Sequence, residues 1–146
     1  MIDIPNTYYR GTVKAVIRDS NGFILVVKES GDFIDLPGGG IDHGESYHEA
    51  MRRELAEEIG YEGDFTMELT GSELLERKNS TGYVMFVIFN VTLSSPYTAA
   101  PGTDTTEVFF IDPGQYKNEK DRSLQMIYKY GTRDMSAVID YKMPSL

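Results

Sequence analysis

The stretch from Leu36 to Gly60 constrains the fold more than any other part of the chain. It opens with Leu36-Pro37-Gly38-Gly39-Gly40, where the proline removes a backbone donor and three glycines remove side-chain packing, so a break in regular structure is expected. From Ser46 to Ile59 there is no Gly or Pro and good helix formers dominate. Gly60 stands where a C-terminal cap belongs, which predicts a helix over Ser46 to Ile59. At about 100° per residue, Glu54, Glu57 and Glu58 share a sector of roughly 100°, while Met51, Leu55 and Ile59 point to an adjoining face. One face can pack and the next is acidic.

Around this helix the chain reads mainly as strands. Tyr9 to Asp19 and Phe23 to Glu29 are strand-like runs joined by Asp19-Ser20-Asn21-Gly22, whose Asn-Gly pair signals a tight hairpin, and they are expected to pair antiparallel. Strands are expected again at Phe65 to Leu69, Glu73 to Arg77 and Tyr83 to Leu93. The last is apolar at nearly every position, as a central strand covered on both faces would be. Ser94 to Thr106, with Pro96, Pro101 and Gly102, reads as a loop. A short strand from Glu107 to Ile111 follows, ended by Asp112-Pro113-Gly114, and a second helix is expected around Asp121 to Tyr130. Nothing marks an internal repeat or a second domain, so residues 1–146 are expected to form one α/β domain, a mixed sheet with helices on both faces.

Composition excludes several functions. With no cysteine there is no disulfide framework, thiolate metal site or cysteine nucleophile, which leaves oxygen and nitrogen chemistry and favours hard cations. A formal net charge of −9 argues against gripping a nucleic acid polymer, which needs a basic footprint. A polyanionic ligand would have to be met through cations. The longest purely apolar run, Val84 to Phe89, is far too short to span a bilayer, and the N-terminus lacks the basic start and apolar stretch of a signal peptide. A cytoplasmic protein without membrane contact is the expectation.

A Glu-rich helix alone is most often a solvated surface. Its surroundings change the reading. The segment Gly39-x5-Glu45-x7-Arg53-Glu54-Leu55-x-Glu57-Glu58-x-Gly60-Tyr61 resembles the signature box of the Nudix hydrolases, MutT-like proteins among them. If seven such positions were each matched independently at about 7%, coincidence at one starting point would be on the order of 10⁻⁸. Leu36-Pro37-Gly38-Gly39 looks like the approach to that box, and the N-terminal hairpin like the family's opening strands. Tyr61 departs from the pattern where an aliphatic residue is usual, and Ile34 where an aromatic is common, with Phe33 adjacent; neither touches a carboxylate.

What the resemblance implies is a Nudix-type α/β/α sandwich with a mixed β-sheet that cleaves a diphosphate linkage in a nucleoside diphosphate bonded to a further moiety. It implies that Glu54, Glu57 and Glu58 bind Mg²⁺, or Mn²⁺ in its place, assisted by the backbone carbonyl of Gly39. Glu54 doubles as a candidate general base, Arg53 and Glu45 orient the loop and the acids, and Glu107 is the extra acid that many members place on a late strand. The chemistry requires such a set, because hydrolysis of a repelling anion needs charge neutralisation, a positioned water and support for the leaving oxygen. Members acting on ADP-ribose or dinucleoside polyphosphates often carry a Pro or Tyr a set distance past the box. Glu76-Arg77-Lys78 occupies that region here, which points to a nucleoside triphosphate-type substrate.

ADP-ribose or a nucleotide sugar stays open, as do a non-catalytic nucleotide-sensing module, a plain metal-binding scaffold and a homodimer. The glycines match neither a Walker loop nor a dinucleotide fingerprint. His43 and His48 are expected to stay out of the chemistry. Tyr8, Tyr9, Phe33 and Phe110 are expected in the core before a base-stacking role, and Arg10, Lys14, Arg77 and Lys78 at the solvated surface before a phosphate contact.

Overall fold

The computed structural model describes residues 9–77 and 82–141. Tyr8 and Lys78, two of the residues considered above, lie outside them. The elements in order are β1 (Tyr9–Val16), β2 (Ile24–Lys28), β3 (Gly38–Gly40), α1 (Tyr47–Ile59), β4 (Phe65–Glu76), β5 (Tyr83–Leu93), β6 (Glu107–Ile111), a 3-10 turn (Pro113–Tyr116) and α2 (Arg122–Thr132). A four-stranded sheet runs β3-β1-β5-β4, and a two-stranded one pairs β2 with β6. The β1–β5 pair is parallel and the other ladders are antiparallel, so the expected mixed sheet is present, with β5 central as its apolar sequence requires.

Three strand expectations are corrected. The turn at Asp19–Gly22 forms: the Asp19 N–H bonds to the Phe23 carbonyl at 2.9 Å, and Asp19 Oδ1 accepts from the N–H groups of Asn21 and Phe23. Only Gly22 has positive φ, which is the three-residue bulged turn and not the two-residue Asn-Gly type. The strands do not form a ladder, for after the Arg18–Ile24 bridge β1 goes to β5 and β2 to β6. Hairpin chemistry fixes the turn, but the apolar residues on both faces of each run let the strands separate into two sheets.

The glycine run is itself a strand. Gly38–Gly40 pairs with β1 in the register Val13↔Gly39 and Lys14↔Gly38, at an approach that bare backbone alone permits. Gly38 has φ 134, and a Cβ there would stand 2.0 Å from the Val13 carbonyl oxygen. The runs expected at Phe65–Leu69 and Glu73–Arg77 merge into one strand, β4, which ends at Glu76 and is kept continuous by a bulge between Leu69 and Gly71.

Two apolar clusters lie on opposite faces of the strands, as their alternation demands. Val13, Ala15, Leu25, Val27, Val87 and Phe89 join Ala50, Met51, Leu55 and Ile59 of α1 in one. Val16, Ile24, Val26 and Ile88 join Met126, Ile127 and Tyr130 of α2 in the other. This is the α/β/α layering. No helix among the described residues is long and apolar enough to cross a membrane.

Candidate active site

The helix that carries the acids is fixed at both ends. Ser46 caps it: the Glu49 N–H donates to Ser46 Oγ at 3.1 Å, and the Ser46 N–H donates back to Glu49 Oε1 at 3.4 Å. Gly60 closes it in the left-handed conformation at φ 66. With Met51, Leu55 and Ile59 fully buried, the rotation of α1 is set, and Glu54 and Glu58 are driven under the glycine strand, at 8% and 3% exposure, while Glu57 remains half-exposed. The acidic face is therefore only in part a surface.

Arg53 holds this face to the loop before it. Its Nε and Nη2 donate to the two carboxylate oxygens of Glu45 at 2.8 and 2.9 Å, and Nη2 also reaches the Gly40 carbonyl at 2.9 Å. Nη1 donates to Glu54 Oε1 at 2.9 Å and Glu57 Oε2 at 3.2 Å, and Asp42 adds an ion pair at 3.3 Å. A planar fork is the geometry suited to such a clamp. The Arg53 hydrogen bonds, helped by the Asp42 N–H, hold the Glu45 carboxyl down to about 2, and Glu45 in turn raises Arg53 above its ordinary value.

Glu58 sits behind them. Its Oε1 accepts the Gly38 N–H at 2.9 Å. Burial pushes its pKa up to about 8, with the Glu54 and Glu29 charges adding to the rise and Lys14 and the Gly38 N–H opposing it. Burial also raises Glu54, against the pull of Arg53.

Lys14, expected at the solvated surface, is instead 6% exposed. Its ammonium donates to Asp35 Oδ2 at 2.9 Å, the Leu36 carbonyl at 3.2 Å and the Gly38 carbonyl at 3.3 Å. Burial opposes its charge, yet Asp35 and Glu58 outweigh that and raise its pKa. The only signal in the sequence was a lysine in an otherwise apolar strand run, and its pairing with Gly38 became visible only once the glycines were known to be a strand.

Gly39 lies against the acids, since a Cβ there would stand 2.5 Å from Glu54 Oε1. Ladder parity, set by the bonds from Ala15 N to Pro37 O and from Ile41 N to Gly11 O, turns the Gly39 carbonyl toward Val13, leaving its second lone pair for any cation. Glu107 begins β6 as expected and pairs with Lys28 at 3.1 Å, and no hydrogen bond joins it to the helix acids among the described residues. The loop before it does reach them: Gly102 N and Thr105 Oγ1 donate to the Glu58 carbonyl and Asp104 N to that of Glu57.

His48 stacks on Phe65 at 4.6 Å, away from the acids, and His43 is exposed in the loop. Tyr9 and Phe33 are 55% and 70% exposed, not core, whereas Phe110 is half-buried against the α1 cluster. Arg10 lies over Gly40 and donates to the Ile41 carbonyl at 3.2 Å.

No three His, Asp or Glu side chains among the described residues converge as placed on one ion position. Arg53 takes Glu54 and Glu57, and Gly38 takes Glu58. Even so, three oxygen acids on adjacent turns, with the ionised form of two of them disfavoured by burial, are a donor set suited to a hard divalent cation.

The model of the NUDIX domain matches residues 8–130, which include every residue of this constellation. The chain belongs to the Nudix family. A Bacillus subtilis (strain 168) protein provisionally named an 8-oxo-dGTP diphosphatase is 28% identical over 108 residues, covering 74% of this chain and 69% of that protein. The crystal structure of a MutT protein from Methanosarcina mazei Go1 superposes with TM-score 0.71 at 19% identity, covering 90% of this chain and 99% of that one. The Nudix domain of Shewanella oneidensis NrtR, complexed with ADP ribose, gives TM-score 0.64 at 21% identity over 89% of this chain and 90% of that one. The sandwich read from the Nudix box is thus the fold, and the reaction class is that of a Nudix pyrophosphohydrolase.

Proposed function

We propose that this Nudix enzyme hydrolyses a phosphoric anhydride in a nucleoside triphosphate-type substrate by attack of water on phosphorus, releasing a nucleoside monophosphate. The supporting observation is the set of acids on α1 held against the glycine strand, with Arg53 joining Glu45, Gly40, Glu54 and Glu57 in one network. Holding helix, loop and glycine strand in one network confines the rearrangement that a cation requires to the acid side chains, and that preorganisation of the backbone lowers a barrier.

Glu54, Glu57 and Glu58 would hold Mg²⁺ or Mn²⁺, with the Gly39 carbonyl and Glu107 as further candidate oxygens. When bound, the cation supplies neutralisation of the anhydride's charge and orientation of the attacking water. Arg53 and Glu45 keep the acids and the loop in register, and Glu54, whose proton affinity burial raises, is the candidate base. All 146 residues are read as one domain. The likeness to the Bacillus subtilis diphosphatase supports the triphosphate class.

A second reading, ADP-ribose or a nucleotide sugar, draws on the ADP ribose in the Shewanella oneidensis domain of like fold. The test is a panel of nucleoside triphosphates, 8-oxo-dGTP included, ADP-ribose, nucleotide sugars and dinucleoside polyphosphates, with magnesium and product chromatography. Highest kcat/KM on a triphosphate supports the first reading, and highest on ADP-ribose replaces it with the second.

A further inference from the structure

At the carboxyl ends of the parallel strands β1 and β5 the two sheets part. Val16, opposite Asn90, is the last β1 residue paired to β5. Arg18 then bridges to Ile24 on the β2 side, while β5 continues beside β4 to Leu93. The parting leaves a cleft of about 630 Å³, and Glu54, Glu57 and Glu58 are not among the residues that line it. That volume is in the range of small-molecule sites, and the carboxyl ends of strands at a divergence of connections are a favoured place for them.

Two arginines, Arg18 and Arg133, line this cleft. Among the described residues Arg18 is anchored by neutral oxygens: Nη1 donates to Asn90 Oδ1 at 2.6 Å, and Nη2 to the Tyr130 and Gly131 carbonyls at 2.8 and 3.2 Å. Arg133 follows α2 in the left-handed conformation at φ 62, where glycine is the usual residue and a Cβ is disfavoured. Among the described residues its side chain has no hydrogen bond or ion pair. A strained backbone that keeps an unpaired arginine in a cleft is an outlier of the kind function retains.

The charges agree. Burial and then the Arg133 charge lower the Arg18 pKa, as two nearby like charges would. Asp19 and Glu68 also line the cleft but pair with neither arginine, and Asp19 Oδ1 already accepts two N–H groups of its own turn. In a chain of net charge −9, two arginines without an ion pair among the described residues are a local exception. Met67, Tyr97 and Phe110 supply an apolar wall.

We propose that this cleft is a second ligand site, separate from the acidic helix, for a small phosphomonoester with a flat or apolar body. The phosphate meets Arg18 and Arg133, and the body lies on Met67, Tyr97 and Phe110. Guanidinium forks match phosphate oxygens in charge and geometry.

The probe is GMP, chosen because the proposed reaction releases a nucleoside monophosphate; the site itself does not depend on that reaction. GMP, guanosine and inorganic phosphate are titrated into the ¹⁵N-labelled full chain in excess EDTA, which removes metal-dependent binding at the acids. The expected result is amide shifts centred on Asn90, Thr92 and Arg133, with GMP at least about tenfold tighter than guanosine or phosphate. Arg133→Gly restores the preferred cap residue, so it should melt no lower than the parent yet bind GMP at least about tenfold more weakly. Magnesium-dependent turnover, followed alongside, should be the same in parent and Arg133→Gly, and reports on the proposed reaction separately. Shifts confined to Gly38–Glu58, absence of binding, equal affinity for phosphate alone, or unchanged GMP affinity in Arg133→Gly would each overturn the proposal.

Discussion

Glu58→Gln should make the metal-free protein more stable, and increasingly so as pH rises. The parent side chain is 3% exposed, accepts the Gly38 N–H at 2.9 Å and has its pKa pushed up to about 8, chiefly by burial. An unfolded glutamate ionises near pH ~4.3. Between there and about 8 the folded chain keeps a proton that the unfolded chain has released, so folding stability falls as pH rises through this window. At ~1.4 kcal/mol per unit, the loss by pH 7 is at most about 3 kcal/mol, less to the extent that neighbours and water relax around the charge.

Glutamine keeps the Gly38 bond through its amide oxygen and has no proton to lose. Relative to its value at pH 4.5, the stability gap between mutant and parent should therefore open by about 1–3 kcal/mol at pH 7 and level off above pH 8. Urea unfolding of both proteins in EDTA from pH 4.5 to 9 measures it, and contributions of groups that do not interact with Glu58 cancel in the difference. With magnesium, turnover should collapse at least about a hundredfold. A gap independent of pH would mean that Glu58 ionises in the folded chain as freely as in the unfolded one, and would overturn its burial as the cause.

Excess chelator should abolish turnover, and added magnesium should raise the parent's Tm by binding linkage but shift Glu58→Gln much less. Glu45→Gln removes a carboxyl held down to about 2 by Arg53. Stability that this group contributes above pH ~4.3 and loses as pH falls toward 2 should vanish from the acid limb, with turnover down about 10- to 100-fold. Gly39→Ala places a Cβ 2.5 Å from Glu54 Oε1, and should lower kcat on the order of tenfold or more while unfolding stays cooperative. Lys14→Met deletes the ammonium that joins Asp35, Leu36 and Gly38, and urea unfolding should show a loss of about 2–3 kcal/mol, below the ~3–5 kcal/mol of a fully buried pair because Asp35 is partly exposed.

The box helix could be read in the sequence because local chemistry settles it. Ser46 and Gly60 cap it, and the phase of Met51, Leu55 and Ile59 sets which acids turn inward. What could not be read depended on long-range pairing. Nothing local says that β1 leaves β2 for β5, or that three glycines lie as a strand on Val13 and Lys14, since glycine has no side chain to show the alternation of a strand. Lys14 was misplaced for the same reason: its burial comes from Asp35 and Gly38, both more than twenty residues away. The bulge in β4 likewise hid one strand behind two shorter patterns, whereas β5, apolar at nearly every position, showed its central place directly.

Hydrolysis of 8-oxo-dGTP and dGTP in ¹⁸O-labelled water with magnesium, followed by mass spectrometry and ³¹P NMR of the products, shows which bond the enzyme breaks and whether a cation is required. The expected result is a nucleoside monophosphate as the nucleoside product, ¹⁸O on a phosphorus of one product, and no reaction in EDTA. Free nucleoside as the primary product, or undiminished turnover in excess chelator, would contradict it.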